Sequence, residues 1–190
     1  MEENKELEII SEILNGNTEK FGVIAEKYAE QLFRVALGYM HSKEEAEDIV
    51  QEVLIKAFNS LNTFKGNSKL STWLYRITVN SCLNQINKHK RTSLFSSIEE
   101  IKGQGLDSSD QKNPEQQLIE EERNLKVRKA IDSLPTNQKT AFILQRYKEL
   151  SQKEISEVMG VTEGAVEQLL QRGKRHLKKR LKKSVGKTAK

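Results

Sequence analysis

The sequence predicts an all-α protein of two small helical domains joined by a flexible linker, with a helix-turn-helix as the C-terminal domain. Apolar residues recur at helical spacing over most of the 190 residues, without convincing β alternation. Only two prolines, Pro114 and Pro135, interrupt this pattern. Between Thr92 and Gln116 the periodicity is lost and Ser, Gly, Asp and Gln dominate, which is typical of a linker. We therefore predict domains at 1–91 and 117–190, with a linker at 92–116.

The composition indicates small hydrophobic cores and a reducing compartment. Hydrophobic residues make up 36% of the chain and the mean hydropathy is −0.67, so much of the surface must be solvated. A single cysteine, Cys82, excludes an internal disulfide, fits a reducing compartment and is expected in the core. No apolar run approaches the ~18 residues of a membrane span, and the first residues lack signal-peptide order. These features predict a cytoplasmic protein.

Local signals place the helices of the N-terminal domain. Apolar spacing predicts helices over 7–14 and 21–40, and Ser42 with Glu45 forms a capping box for a helix over 43–61. Residues 62–71 read as a loop, after which Ser71 is expected to cap a helix from Thr72 to about Lys90. The predicted buried stripe of the 43–61 helix is Ala46, Ile49, Val50, Val53, Leu54, Ala57, Phe58 and Leu61.

In the C-terminal half, helical period returns at Leu118 and breaks near 134–135, 149–150 and 160–161. A second capping box, Ser151 with Glu154, begins a short helix over 152–159. Gly160 then allows a tight turn, and Thr162 caps a longer helix. Two helices joined by a three-residue glycine turn form a helix-turn-helix. The outward residues of the second helix are Glu167, Gln168, Gln171, Arg172, Lys174 and Arg175.

These outward residues suit a nucleic acid. Gln and Arg side chains pair with purine edges in the major groove, and Lys is suited to phosphates. An ordinary helical hairpin with a solvated basic face would show the same period.

Charge is distributed unevenly along the chain, although its formal net charge is only +5. Residues 1–52 contain thirteen acids and five bases, whereas 53–98 contain no Asp or Glu and 168–190 contain ten Lys or Arg and no acid. Aromatic residues are interleaved with the cations of the 53–98 segment. Such a surface is suited to phosphates and to stacking of unpaired bases, although a basic solvated face is the plainer interpretation. The asymmetry predicts a protein partner for one face and nucleic acid for others.

Three segments resemble bacterial sigma factors of the extracytoplasmic-function class. They are EEAEDIVQEVLIKAFNSL at 44–61, FKGNSKLSTWLYRITVNSCLNQINKHKR at 64–91 and LSQKEISEVMGVTEGAVEQLLQRGKRHLKKRL at 150–181. The resemblance covers nearly the whole chain and includes a linker where this class has one. It implies a non-enzymatic promoter-specificity subunit that binds core RNA polymerase, recognises two promoter elements and opens the DNA. An anti-sigma protein is a further partner that the class implies, and no cofactor, metal or catalytic residue is expected.

The resemblance also implies roles for individual residues. The stripe that docks on the polymerase corresponds to Asp48, Gln51, Glu52 and Ile55, for which a solvated acidic face is the alternative. The matching residues for the minus-ten element and its melted strand are Phe64, Lys65, Ser68, Leu70, Arg76, Asn80, Asn84 and Lys88. The resemblance assigns recognition of the minus-thirty-five element to the outward face of the last helix, from Glu167 to Arg175. Many members carry a basic residue, then Ser and Arg, where this chain has Glu167, Gln168 and Leu169, so its base preference stays open. Trp73 is expected in the core, with stacking on DNA as the alternative.

Two other function classes compete with this interpretation. A stand-alone helix-turn-helix regulator would need no acidic docking helix and would usually dimerise on a palindrome. An enzyme acting on nucleic acid would need a catalytic constellation, but His41, His89 and His176 are isolated and no glycine-rich phosphate loop or Cys/His metal spacing is present. The acids of the 44–52 segment lie on one helix face, which is a poor octahedral cage for Mg²⁺.

Overall fold

The computed structural model describes residues 2–95, 114–148 and 150–185. These residues form α-helices and two short 3₁₀ turns, with no strand among them, so the predicted all-α class is confirmed. They divide into two compact units. The first contains α1 to α4 together with residues 157–160, and the second contains α5, α6, α8 and the rest of α7.

Four helices build the first unit: α1 (Glu2–Leu14), α2 (Phe21–Met40), α3 (Lys43–Ser60) and α4 (Leu70–Phe95). Helices α2, α3 and α4 pack against one another, and α1 lies on α2. At that contact, Glu6 accepts hydrogen bonds from Lys27 Nζ (2.8 Å) and Tyr28 Oη (2.6 Å). The buried apolar residues of this core are Ile10, Ile13, Ile24, Tyr28, Leu32, Val35, Ala36, Tyr39, Ala46, Ile49, Val50, Val53, Ala57, Leu61, Leu70, Leu74, Tyr75, Val79 and Cys82.

The start of α3 follows the sequence prediction closely. The backbone N–H of Glu45 donates to Ser42 Oγ (3.3 Å), which caps the helix as expected. The Ser42 hydroxyl in turn donates to Glu44 Oε2 (2.8 Å). The pKa of Glu44 is lowered, first by the hydrogen bond that its carboxylate accepts from the backbone and then by the Ser42 hydroxyl. Glu44 therefore stays ionised to a lower pH than an ordinary glutamate.

One residue of the predicted buried stripe is exposed. Phe58 is 39% exposed, because it lies at the edge of the α2–α3 contact and not beneath it. Its ring meets that of Phe21 edge-on, with centroids 5.2 Å apart. Leu54 is half-buried, and the other six members of the predicted stripe are buried.

Helix α4 is longer than predicted at both ends. It begins at Leu70, and the N–H of Trp73 donates to the carbonyl of Lys69 (3.2 Å), so Ser71 lies inside the helix and is not its cap. It ends at Phe95, and α5 already begins at Pro114, so helices occupy both ends of the predicted linker. The rest of that linker lies outside the described residues.

The second unit contains α5 (Pro114–Asp132), α6 (Thr136–Lys148), α8 (Glu163–Val185) and the first residues of α7 (Gln152–Met159). Helices α5 and α6 both pack on α8. Ala130, Ile131, Leu134 and Leu177 form one buried cluster, with Phe142 and Leu181 packed against it. Lys139, also buried, pairs with Asp132 (2.7 Å).

Both predicted caps of the helix-turn-helix are present. Ser151 and Glu154 exchange hydrogen bonds: Glu154 N–H donates to Ser151 Oγ (3.2 Å) and Ser151 N–H donates to Glu154 Oε2 (3.1 Å). Thr162 Oγ1 accepts from the N–H of Ala165 (3.2 Å). Between them Gly160 has φ +67°, and the Val161 N–H bonds the Ser156 carbonyl (3.1 Å), which closes a Schellman motif.

The positive φ of Gly160 gives a direct test of this turn. Gly160→Ala is expected to destabilise the helix-turn-helix by about 1–2 kcal/mol, because a Cβ disfavours the left-handed region. Gly164→Ala is the matched control, since neither glycine has an atom within 4 Å of an added Cβ and Gly164 lies within α8 at ordinary φ. That control should be neutral or gain up to about 1 kcal/mol. Chemical denaturation followed by helical circular dichroism measures both, and equal losses in the two variants would contradict this account.

Candidate functional site

The four residues Asp48, Gln51, Glu52 and Ile55, here called the acidic stripe, are all exposed on α3. The opposite side of the helix is buried through Ala46, Ile49 and Val53. Ile55 is 62% exposed, although it is a large apolar side chain on a helix whose other side is a well-filled core. A stripe of acids and an amide around an exposed isoleucine is typical of a protein interface.

Sequence reasoning did not find the polar link between this stripe and the next helix. Lys56 Nζ pairs with Glu52 one turn away and also donates to Ser81 Oγ of α4 (3.1 Å). Ser81 Oγ lies 3.5 Å from Glu52 Oε1. The Glu52–Lys56 spacing of four residues is visible in the sequence, but Ser81 is 25 residues further on and only the packing of α3 on α4 brings it close.

The residues Arg76, Asn80, Asn84 and Lys88, here called the α4 row, are all exposed. Behind them Tyr75, Val79 and Cys82 are buried, and Tyr75 Oη donates to Gln31 Oε1 of α2 (2.8 Å). Because one side of α4 is fixed in the core, the row is presented on a rigid surface. Asn87 and Arg91 are exposed on the same side, seven residues after Asn80 and Asn84, and Arg91 lies in the part of α4 beyond the predicted end.

The loop before α4 brings only part of the predicted set to the surface. Lys65 is exposed, and Phe64 and Ser68 are half-buried. Leu70 is 2% exposed, because it packs into the core at the start of α4, so its side chain is unavailable to DNA and we remove it from the candidate surface. Trp73 is half-buried, with its ring 5.5 Å from that of Phe64, so it is neither a core residue nor a fully exposed one.

On α8, the six predicted outward residues, here called the recognition face, are all exposed. Behind them Val166, Leu170 and Leu177 are buried. Gln171 Nε2 donates to Glu167 Oε1 one turn earlier (3.1 Å), so these two side chains are held together along the helix. Cations and amides therefore dominate this surface, with a single carboxylate near its N-terminal end.

Comparison with known proteins assigns the family. Residues 24–92 match Sigma-70 region 2, and residues 124–177 match Sigma-70 region 4. The extracytoplasmic-function sigma factor SigW of Bacillus subtilis is 30% identical over 91% of this chain and 95% of its own length. The chain belongs to the extracytoplasmic-function sigma factors.

Two further similarities agree with this assignment. The RNA polymerase sigma-H factor of Pseudomonas aeruginosa is 26% identical, covering 94% of this chain and 95% of the relative. The solved sigma factor RpoE of Bartonella quintana, in complex with the anti-sigma factor NepR, shares the fold with a TM-score of 0.60. It is 23% identical and covers 86% of this chain and 98% of its own.

The function predicted from the sequence is confirmed at the level of the family. This sigma factor is a promoter-specificity subunit of RNA polymerase, which binds the core enzyme, recognises promoter DNA and drives strand opening for initiation. The stand-alone regulator is set aside, because relatives named as polymerase sigma factors match along almost the whole chain. Their names describe initiation factors and not enzymes.

Among the residues that the structure describes, no three His, Cys, Asp or Glu side chains are close enough to hold a metal ion together. Within the same ranges, no helix combines the length and apolar character needed to cross a bilayer.

Proposed function

We propose that three surfaces divide the work of this sigma factor. The acidic stripe docks on core RNA polymerase, the α4 row with its preceding loop holds the minus-ten element, and the recognition face holds the minus-thirty-five element. The observation that carries the proposal is the pattern of exposure. Except for Leu70, every predicted contact residue is exposed or half-buried, while the opposite side of each helix is fixed in a core.

The acidic stripe suits a partner that is both basic and apolar. Asp48 and Glu52 supply negative charge, Gln51 supplies hydrogen bonds, and Ile55 supplies an apolar contact at the C-terminal end of the stripe. Charged groups arranged in this way steer encounter and fix register, and a buried apolar residue supplies affinity. The same charges would repel DNA phosphates, so this face of α3 is suited to protein and not to nucleic acid.

The α4 row suits DNA that is being opened. Arg76 and Lys88 bind phosphates at the two ends of the row, and Asn80 and Asn84 between them reach base edges through their amides. The half-buried Phe64 and Trp73 offer aromatic faces beside the row for an extruded base. Contacts to an extruded base offset an unpairing cost of about a few kcal/mol, so opening at this site requires no ATP.

The recognition face suits a closed duplex. A recognition helix in the major groove contacts bases with its N-terminal residues, which here include Glu167, Gln168 and Gln171. Glu167 either accepts from cytosine N4 or repels phosphates of unsuitable sequences, and its hydrogen bond with Gln171 fits both roles.

We also propose that an anti-sigma protein regulates this chain. The Bartonella quintana structure contains a sigma factor of the same fold bound to NepR. A partner that covered both DNA-binding surfaces would keep the chain inactive.

The proposed domains are 1–91 and 117–190. The proposed compartment is the cytoplasm, because the chain must reach RNA polymerase there.

In vitro transcription tests whether the three surfaces together support promoter-specific initiation. Core RNA polymerase is incubated with genomic fragments, with and without this chain. We expect initiation at new, discrete start sites only when the chain is present. Specific duplex binding that does not depend on polymerase, without new start sites, would contradict the proposal.

A further inference from the structure

Helix α8 carries cations beyond the segment that matches Sigma-70 region 4. The match to Sigma-70 region 4 ends at residue 177, whereas α8 continues to Val185. No Asp or Glu follows Glu167 in the sequence. The exposed cations between residue 177 and Val185 are Lys178, Lys179, Arg180 and Lys182. None of them is used by the functions argued above.

Three of these four cations lie on the side of α8 that carries the recognition face. An α-helix turns by about 100° per residue, so Lys178 and Lys182, seven and eleven residues after Gln171, return to its side. Lys179, four residues after Arg175, lies one turn beyond it on the same side. Arg180, nine residues after Gln171, lies on the opposite side. The basic surface of α8 is therefore a straight continuation of the recognition face.

We infer that Lys178, Lys179 and Lys182, here called the phosphate extension, bind DNA backbone phosphates beside the minus-thirty-five element. The inference rests on the proposed role of the recognition face. Base contacts come from the N-terminal part of a recognition helix. The extension lies about 10–16 Å further along the axis, and the major groove is only about 12 Å wide. A straight helix of this length leaves the groove, so its last turns cross the sugar-phosphate backbone.

The chemistry of the extension also favours phosphate over bases. Lysine is a flexible point charge with no acceptor, which makes it a good phosphate contact and a poor reader of base edges. Contacts of this kind add affinity without changing which sequence is preferred. The extension would therefore hold the C-terminal domain on the promoter while the recognition face selects the sequence.

Salt dependence measures the number of phosphate contacts directly. The holoenzyme is assembled from core polymerase and the full chain, and its affinity for an initiating promoter fragment is measured over a range of salt concentrations. Each phosphate contact contributes about 0.9 to the slope of log K against log salt. The variant Lys178→Gln/Lys179→Gln/Lys182→Gln should therefore make the slope shallower by about 2.7. Base preference within the minus-thirty-five element should stay as in the wild type.

Two control variants separate this effect from a general loss of charge or fold. Arg123→Gln/Lys129→Gln/Arg180→Gln removes the same number of exposed cations from α5 and from the opposite side of α8. Its slope should stay near that of the wild type. The charge-preserving Lys→Arg triple at 178, 179 and 182 should also keep the wild-type slope. Circular dichroism should show the wild-type helical content in all three variants.

Phosphate ethylation interference locates the contacts. With the wild type, ethylated phosphates next to the minus-thirty-five element should interfere with binding, and with the glutamine triple they should not. Equal slopes for the glutamine triple and the control triple would overturn the inference. So would a loss confined to core polymerase binding, which would place an acidic protein surface on the extension. Failure of the wild type to direct initiation would refute the proposed function instead, so the two failures are distinguishable.

Discussion

Asp48→Arg is expected to lower the affinity of this sigma factor for core RNA polymerase by at least about 100-fold. The substitution places a cation at the N-terminal end of the acidic stripe, one turn before Gln51 and Glu52. If the partner surface is basic, as proposed, attraction becomes repulsion, and misplaced like charges cost several kcal/mol at an interface. Every 1.4 kcal/mol is a factor of ten in affinity.

The fold should not suffer from this change. Asp48 is exposed, and an exposed substitution of this kind usually changes the free energy of unfolding by less than about 0.5 kcal/mol. Arginine is also a better helix former than aspartate. Circular dichroism and thermal unfolding should therefore be close to those of the wild type, while a pull-down with core polymerase shows the loss.

Glu47→Arg is the matched control for this experiment. It makes the same charge change on the neighbouring residue, which is also exposed but lies about 100° away around α3. It should retain most of the polymerase affinity. If Asp48→Arg binds core polymerase as well as this control does, the acidic stripe is a solvated face and not the docking surface.

Helix ends were predictable wherever a local cap determines them. The Ser42 and Ser151 hydroxyls each accept a backbone hydrogen bond three residues on, and α3 and α7 begin directly after them. Capping depends on residues within one turn, so the sequence contains all of the information needed. The same holds for Gly160, whose φ of +67° ends α7.

The start of α4 was not predictable in this way, because tertiary packing overrides a local signal there. Ser71 has the chemistry of a cap, but burial of Leu70 draws the helix start one residue earlier than the serine. This burial also removes Leu70 from the predicted DNA surface. At the other end, residues 91–95 contain no Gly or Pro, so nothing local stops the helix at Lys90.

The contact surfaces themselves followed from helical period, whereas the links between helices did not. A period of 3.6 residues separates the exposed side of α3, α4 and α8 from the buried side, so nearly all predicted contact residues were correctly expected at the surface. The Lys56–Ser81 contact and the Phe21–Phe58 ring pair join residues far apart in sequence. Only the packing of α3 against its neighbours determines such pairs.

Asn80→Ala is expected to reduce promoter opening by roughly 5- to 150-fold while core polymerase binding stays near that of the wild type. Asn80 lies at the centre of the α4 row, and its amide is exposed on a helix whose other side is buried. A good amide-to-base contact is worth about 1–3 kcal/mol. Permanganate reactivity of promoter thymines in the holoenzyme measures the open fraction directly.

Gln85→Ala controls for loss of an amide on the same helix. Gln85 lies about 140° around α4 from Asn80 and contacts the ring of His89 within the helix (3.0 Å), so it is outside the row. Opening should be nearly unchanged in this variant. Thymine reactivity that stayed at the wild-type level in Asn80→Ala would show that this amide does not contribute to opening.

A template with a pre-opened bubble at the minus-ten element identifies what the Asn80 amide does. If its contact offsets the cost of unpairing, removing that cost beforehand should bring Asn80→Ala and the wild type to similar rates of initiation. If the amide only selects a duplex sequence, the defect on the bubble should be as large as that on the closed promoter. We expect the first result, because the α4 row lies beside the Phe64 and Trp73 rings that are proposed to hold an extruded base, so its amides are placed to contact the separated strand.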